Sequence, residues 1–202
     1  MDMNEYNSVR SLSYLQYCDY LQKKYGIGRA DYMTAGFNQN RKVTRTNEGL
    51  WVHHKMENKA QRLSSKEEAM NNPFDWQKAH NLVYADYLEH LLLHIKICES
   101  LTNPRDAFRL GMPGILTYLI PELNDLYSGF NTSQAWRAKC FSIVSNDKDV
   151  YLEIIKEFIE WAKKAIRLPL RELKISAAEG YNWNAASNEP LYREIEKIYN
   201  SI

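Results

Sequence analysis

GLWVHHKMENKAQRLSSKEEAMNNPFDWQKAHNLVYADYLEHLLLHIKI, residues 49–97, decides how this chain reads. All five histidines of the sequence fall inside it, at 53, 54, 80, 90 and 94. Near neutral pH histidine is the commonest neutral metal ligand and a ready general base. Five in one window point to a site. Asp86-Tyr87-Leu88-Glu89 has the form of a capping box, an acceptor at the N-cap and a Glu reaching back to its amide. It predicts a helix running to about Leu101, before Asn103-Pro104. His90 and His94 then share one helical face, close enough to reach one cation at ~2.0–2.2 Å. The competing reading makes one of them a satisfied core histidine among Leu91, Leu92, Leu93, Ile95 and Ile97.

Upstream, Asn81 to Tyr84 is a short apolar run of strand character. Gly49 to His54 reads as a second strand, paired with Lys42 to Arg45 around the turn Thr46-Asn47-Glu48. Neighbours in a strand point to opposite faces, so His53 and His54 serve different partners.

Working outward, residues 6–25 predict one amphipathic helix ended by Gly26, with Tyr6, Tyr14, Tyr17, Tyr20 and Tyr25 as half-buried packing. Residues 26–41 read as loop. Lys66 to Met70 reads as one or two helical turns. Further helices are expected at about 105–110, 114–127, 132–144, 147–167 and 190–201. Residues 168–188 are mixed, with loop character at Gly180 and around Tyr181-Asn182-Trp183. The fold class is therefore α+β: a mainly α-helical chain with a small strand–strand–helix unit embedded in it. Three segments follow: an N-terminal helix and basic loop (1–41), a core (42–102), and a helical region for packing or recognition (103–202).

The formal charge of +1 gives no global field toward nucleic acid or membrane. Locally, nine basic residues face three acidic ones between Lys23 and Arg62. That run reads either as a solvated face or as a phosphate-contacting surface. Cys18, Cys98 and Cys140 are far apart and form no CxxC, which suits a reduced, cytoplasmic chain. No apolar run approaches bilayer length, so no membrane partner is expected.

Taken jointly, His53-His54, then Asn81-Leu82, then His90 and His94 resemble the HNH (ββα-metal) endonuclease motif over about 45 residues. The resemblance implies metal-dependent hydrolysis of phosphodiester bonds. His53, His90 and His94 match its metal ligands, His54 its general base, and Asn81 the residue that orients the base. The implied cofactor is one divalent ion, Mg²⁺ or Mn²⁺ ahead of Zn²⁺ or Ni²⁺. The two CxxC pairs that brace many relatives on a structural zinc are missing, with Asp86 and Glu89 near the helix start instead. His80 has no place in the motif and reads as structural or solvent-exposed. Arg41, Lys42, Arg45, Lys55, Lys59 and Arg62 become the expected phosphate contacts, and double-stranded DNA the expected partner. The C-terminal helices leave room for a homodimer or a protein partner. The alternatives are an inactive HNH-like binding module acting as regulator or inhibitor, and a helical interaction protein with core histidines. Intact His54 and Asn81 argue against the first, and the strand-like segments against the second.

Overall fold

Leu82-Val83-Tyr84-Ala85 is buried along its whole length. A strand with no solvent face must be covered on both sides, and the chain is arranged to do so. The computed structural model describes residues 1–178 and 183–202; Gly180, Tyr181 and Asn182 of the expected loop lie outside the described residues. Two helices open the chain, α1 (Met3–Val9) and α2 (Tyr14–Tyr25), and strand β1 (Trp51–His54) follows. A short helix α3 (Lys66–Asn71) precedes strand β2 (Leu82–Ala85), and α4 (Tyr87–Ser100) begins two residues after β2. β1 and β2 pair antiparallel, with His53 opposite Val83 and His54 opposite Leu82.

The two faces of this pair meet different surroundings. Val83 joins the main apolar cluster with residues of α2 and α4, while Leu82 joins a smaller cluster with Tyr32, Met33, Val43 and Ala69. Paired residues share a face, so His53 points with Val83 and His54 with Leu82.

The capping box at Asp86 is formed in both directions: Glu89 N–H donates to Asp86 Oδ1 at 2.8 Å, and Asp86 N–H to Glu89 Oε2 at 2.7 Å. α4 is buried nearly all round, as its apolar sequence requires. It packs against α2, both strands and the C-terminal helices.

Three expectations need correction. The hairpin between 42–45 and 49–54 is absent; Asn40 caps a 3-10 turn at Arg41–Val43, Thr46–Glu48 forms a second, and one Arg45–Leu50 bridge is left. The buried β2, not the polar 42–45 segment, gives β1 its partner. The single helix over 6–25 is two, because Ser13 and Gln16 form their own capping box and restart the helix. Segment 105–110 is a 3-10 helix (Pro104–Phe108).

Beyond it, α5 (Met112–Gly114) passes into a π-helical turn (Ile115–Leu119) and then α6 (Ile120–Tyr127). Pro121 explains the widening: it has no N–H to donate and its ring crowds the carbonyl of residue 117. Helices α7 (Ala135–Val144), α8 (Lys148–Ile166) and α9 (Glu189–Ser201) complete the architecture. α8 places Val150, Tyr151, Ile154, Ile155, Phe158, Ile159 and Ala162 in the main cluster. Among the described residues no helix is long and apolar enough to cross a membrane.

Candidate metal centre

His53 leaves β1 on the face covered by α4, and the 3.6-residue period of α4 stacks His90 and His94 beneath it. His53 Nδ1 lies 3.2 Å from His90 Nε2, and His94 Nε2 also lies 3.2 Å from His90 Nε2. All three ligand atoms fall within 4.8 Å of one another. Four ligands at metal–nitrogen bonds of ~2.0–2.1 Å would sit ~3.3 Å apart on a tetrahedron. The spacing and donor types therefore fit one metal ion. Gly114 makes room for the His94 ring: a Cβ there would come within 2.4 Å of His94 Cε1.

Protonation favours the same use. Burial, with the neighbouring imidazoles, pulls the His53 pKa down to about 3 and lowers His90 well below the ordinary histidine value. Burial lowers His94 as well, against the pull of Glu57. All three are neutral at pH 7 and have lone pairs to offer. Tyr14 fixes which nitrogen of His53 faces inward. With Nδ1 turned to the cluster, Nε2–H donates to the Tyr14 hydroxyl at 2.9 Å, and that hydroxyl donates to the Lys55 carbonyl at 3.1 Å.

Glu57 stands beside the cluster. Its Oε2 lies 3.6 Å from His53 Nδ1 and 3.7 Å from His94 Nε2, and its Oε1 lies 3.6 Å from His54 Nδ1. Burial alone would push this carboxyl's pKa up, but in the acid range where it would titrate the facing imidazoles, His53 first, carry positive charge and pull it below the usual carboxylate range.

His54 is 1% exposed in its side chain and stands on the other face of β1. Gln77, fully buried, donates from Nε2 to the Leu63 carbonyl at 3.1 Å, so its Oε1 is the atom 3.1 Å from His54 Nε2. An oxygen there accepts, so His54 carries a proton on Nε2, and in the neutral ring the lone pair is on Nδ1, which faces Glu57 Oε1. Tyr32 packs on the ring at 4.5 Å between centroids.

Asn81 takes a different place from the one expected. Its amide donates to the Asp75 carbonyl at 2.8 Å and Asp75 Oδ2 at 3.0 Å, and it contacts His80. It pins the turn Phe74–Gln77, and Gln77 is what holds His54. His80 stays outside the cluster, 62% exposed, 3.5 Å from Asp75.

A cavity of about 550 Å³ opens beside the centre, with His54, Glu57, His90 and His94 in its wall. Of the six expected phosphate contacts, Arg45 and Arg62 line it. Arg45 is already engaged by Glu48 at 2.6 Å, the Tyr25 carbonyl at 2.8 Å and the Tyr84 ring. Lys55 pairs with Asp19 at 2.8 Å. Arg41, Lys42, Lys59 and Arg62 are exposed.

Sequence reasoning missed Tyr14, Glu57 and Gln77. Glu57 had a signal, an acid four residues after one histidine and three after the other, which becomes meaningful once Lys55–Asn58 is known to be a 3-10 turn. Tyr14 and Gln77 had none, since each reaches its histidine from more than 20 residues away in sequence. Neither protein-family models, nor curated proteins, nor solved structures give a match to this chain.

Proposed function

We propose that this chain is a metal-dependent endonuclease of the HNH (ββα-metal) type that hydrolyses phosphodiester bonds in nucleic acid. One observation carries the reading. A strand, a loop, a second strand and a capped helix bring three imidazoles together, while the adjacent His54, held through Nε2 by Gln77, lines a cavity shared with His90 and His94.

His53, His90 and His94 would hold the ion, with Glu57 as a fourth donor. When bound, a divalent cation supplies Lewis-acid stabilisation of charge on the phosphate and the leaving oxygen. Three imidazoles favour Zn²⁺ or Ni²⁺ over Mg²⁺ or Mn²⁺, which prefer oxygen ligands, the reverse of the order the resemblance implies. His54 Nδ1 takes a proton from water as the water oxygen attacks phosphorus and the bond to the leaving oxygen breaks. Gln77 holds the tautomer, and Asn81 acts through Gln77 as a positioning residue. Glu57 Oε1, beside Nδ1, stabilises the imidazolium that forms.

Plasmid DNA, single-stranded DNA and RNA incubated with purified protein and Mg²⁺, Mn²⁺, Ni²⁺ or Zn²⁺ test the proposal. Cleavage with at least one metal, lost on adding EDTA, is expected. Cleavage that survives full chelation would remove the metal mechanism, and no cleavage under any condition would remove the nuclease.

A further inference from the structure

Part of the cavity's lining is aromatic. Trp51, Tyr87 and Tyr118 line the cavity, and so does Arg62. Trp51 is locked in place by Tyr87 and Trp136, whose ring centroids lie 5.7 and 5.4 Å from its own in edge-on contact. Its indole Nε1–H is nonetheless buried without a hydrogen-bond partner. Such a donor is costly to leave unmade. Tyr118 is the opposite case: 67% exposed, it sits in the π-helical turn forced by Pro121. Nothing in the core requires an aromatic ring there.

We infer that this cavity seats the base of one unstacked nucleotide next to the phosphate being cut, so the preferred strand is unpaired at that point. The inference rests on the nuclease reading of the metal centre. Three features carry it together. The volume falls in the ~300–1,000 Å³ range of pockets that enclose a small organic ligand, and a base held in a duplex must leave its stack to enter such a pocket. Aromatic side chains stack on any base, and Tyr118 is the one of the three whose ring stands open to receive it. His90, His94 and Arg62 line the same cavity as these aromatic side chains, so groups suited to an anion and a group suited to a base share one space. An acidic group of the lining, Glu122, is paired with Arg137, whose Nε donates to it at 2.6 Å. A duplex could use such a site only by extruding a nucleotide, an unstacking cost that single strands and unpaired bubbles avoid.

The test compares one labelled strand presented three ways: alone, in a perfect duplex, and in a duplex with a short unpaired bubble. Wild type and Tyr118→Ala are assayed for cleavage with metal, and for binding by fluorescence anisotropy without it. Single strand and bubble should be cut at least ~10-fold faster than the perfect duplex, and Tyr118→Ala should weaken binding of the unpaired strand ~10-fold. Melting temperature shows that the exposed substitution leaves the fold intact. Equal cutting of all three forms, indifferent to Tyr118, overturns the inference and leaves the nuclease standing. Unpaired strand bound through Tyr118 but never cut would remove the nuclease and keep the nucleotide site. Neither binding nor cleavage removes both.

Discussion

Gly114→Ala isolates the contact between α5 and His94. Gly114 has ordinary right-handed helical angles, φ −64° and ψ −42°, so alanine brings no backbone strain. Its new methyl would meet His94 Cε1 at 2.4 Å, Nδ1 at 2.5 Å and Nε2 at 2.8 Å. Carbon contacts relax near ~3.5 Å, so the ring must retreat by about 1 Å. Overpacking costs ~1–3 kcal/mol, while alanine gains ~1 kcal/mol over glycine in a helix, so the net loss of stability is at most ~2 kcal/mol. A metal site tolerates only ~0.2 Å of ligand displacement, so His94 is lost as a ligand and affinity falls ~100-fold or more. Competition against a chromogenic chelator, with Zn²⁺ or Mn²⁺, measures the affinity, and a thermal melt of the metal-free protein measures the stability. A folded Gly114→Ala protein with wild-type affinity would show that His94 is not a ligand.

Other substitutions probe the residues around the ligands. Tyr14→Phe removes the acceptor for His53 Nε2–H and should weaken metal binding ~10-fold, read in the same competition assay. Gln77→Leu removes the acceptor that fixes the His54 tautomer and should lower kcat ~10–100-fold with metal affinity unchanged; equal loss in both would point to a collapsed loop instead. Acid should destabilise the metal-free fold. His53 titrates at about 3 when folded and near its ordinary 6.5 when unfolded, so the unfolded chain binds the extra proton between these values. Stability is therefore fully present above about pH 6.5 and falls by ~1.4 kcal/mol per pH unit for His53 alone as pH drops toward 3. Burial of His90 and His94 acts in the same direction. Denaturant midpoints at pH 7.5, 6.5 and 5.5 check it, and a flat profile would mean the imidazoles are not held neutral by burial.

What could be read in advance was local. Asp86 and Glu89 lie three apart and state the helix start by themselves, and the four-residue step from His90 to His94 then fixes a shared face. The run Asn81 to Tyr84 reads as a strand because it is short and apolar, with Val83 and Tyr84 in it, and the strand lies at Leu82–Ala85. The strand partner of Trp51–His54 was out of reach, since two candidate strands offered themselves and only burial of both faces of β2 chooses between them. Ser13-x-x-Gln16 was a legible capping box hidden inside a longer apolar periodicity. Gln77 illustrates the remaining gap: a single polar residue in a polar loop becomes decisive only because Asn81 and Leu63 aim it at His54.

Cleavage and metal content measured on one preparation of His54→Ala test the central claim most directly. His54 touches none of the three ligand nitrogens by a hydrogen bond among the described residues, so the variant should retain one equivalent of metal by elemental analysis. With that metal bound, it should cut nucleic acid at least ~100-fold more slowly than wild type. A His54→Ala protein that holds its metal and cuts as fast as wild type would contradict the account.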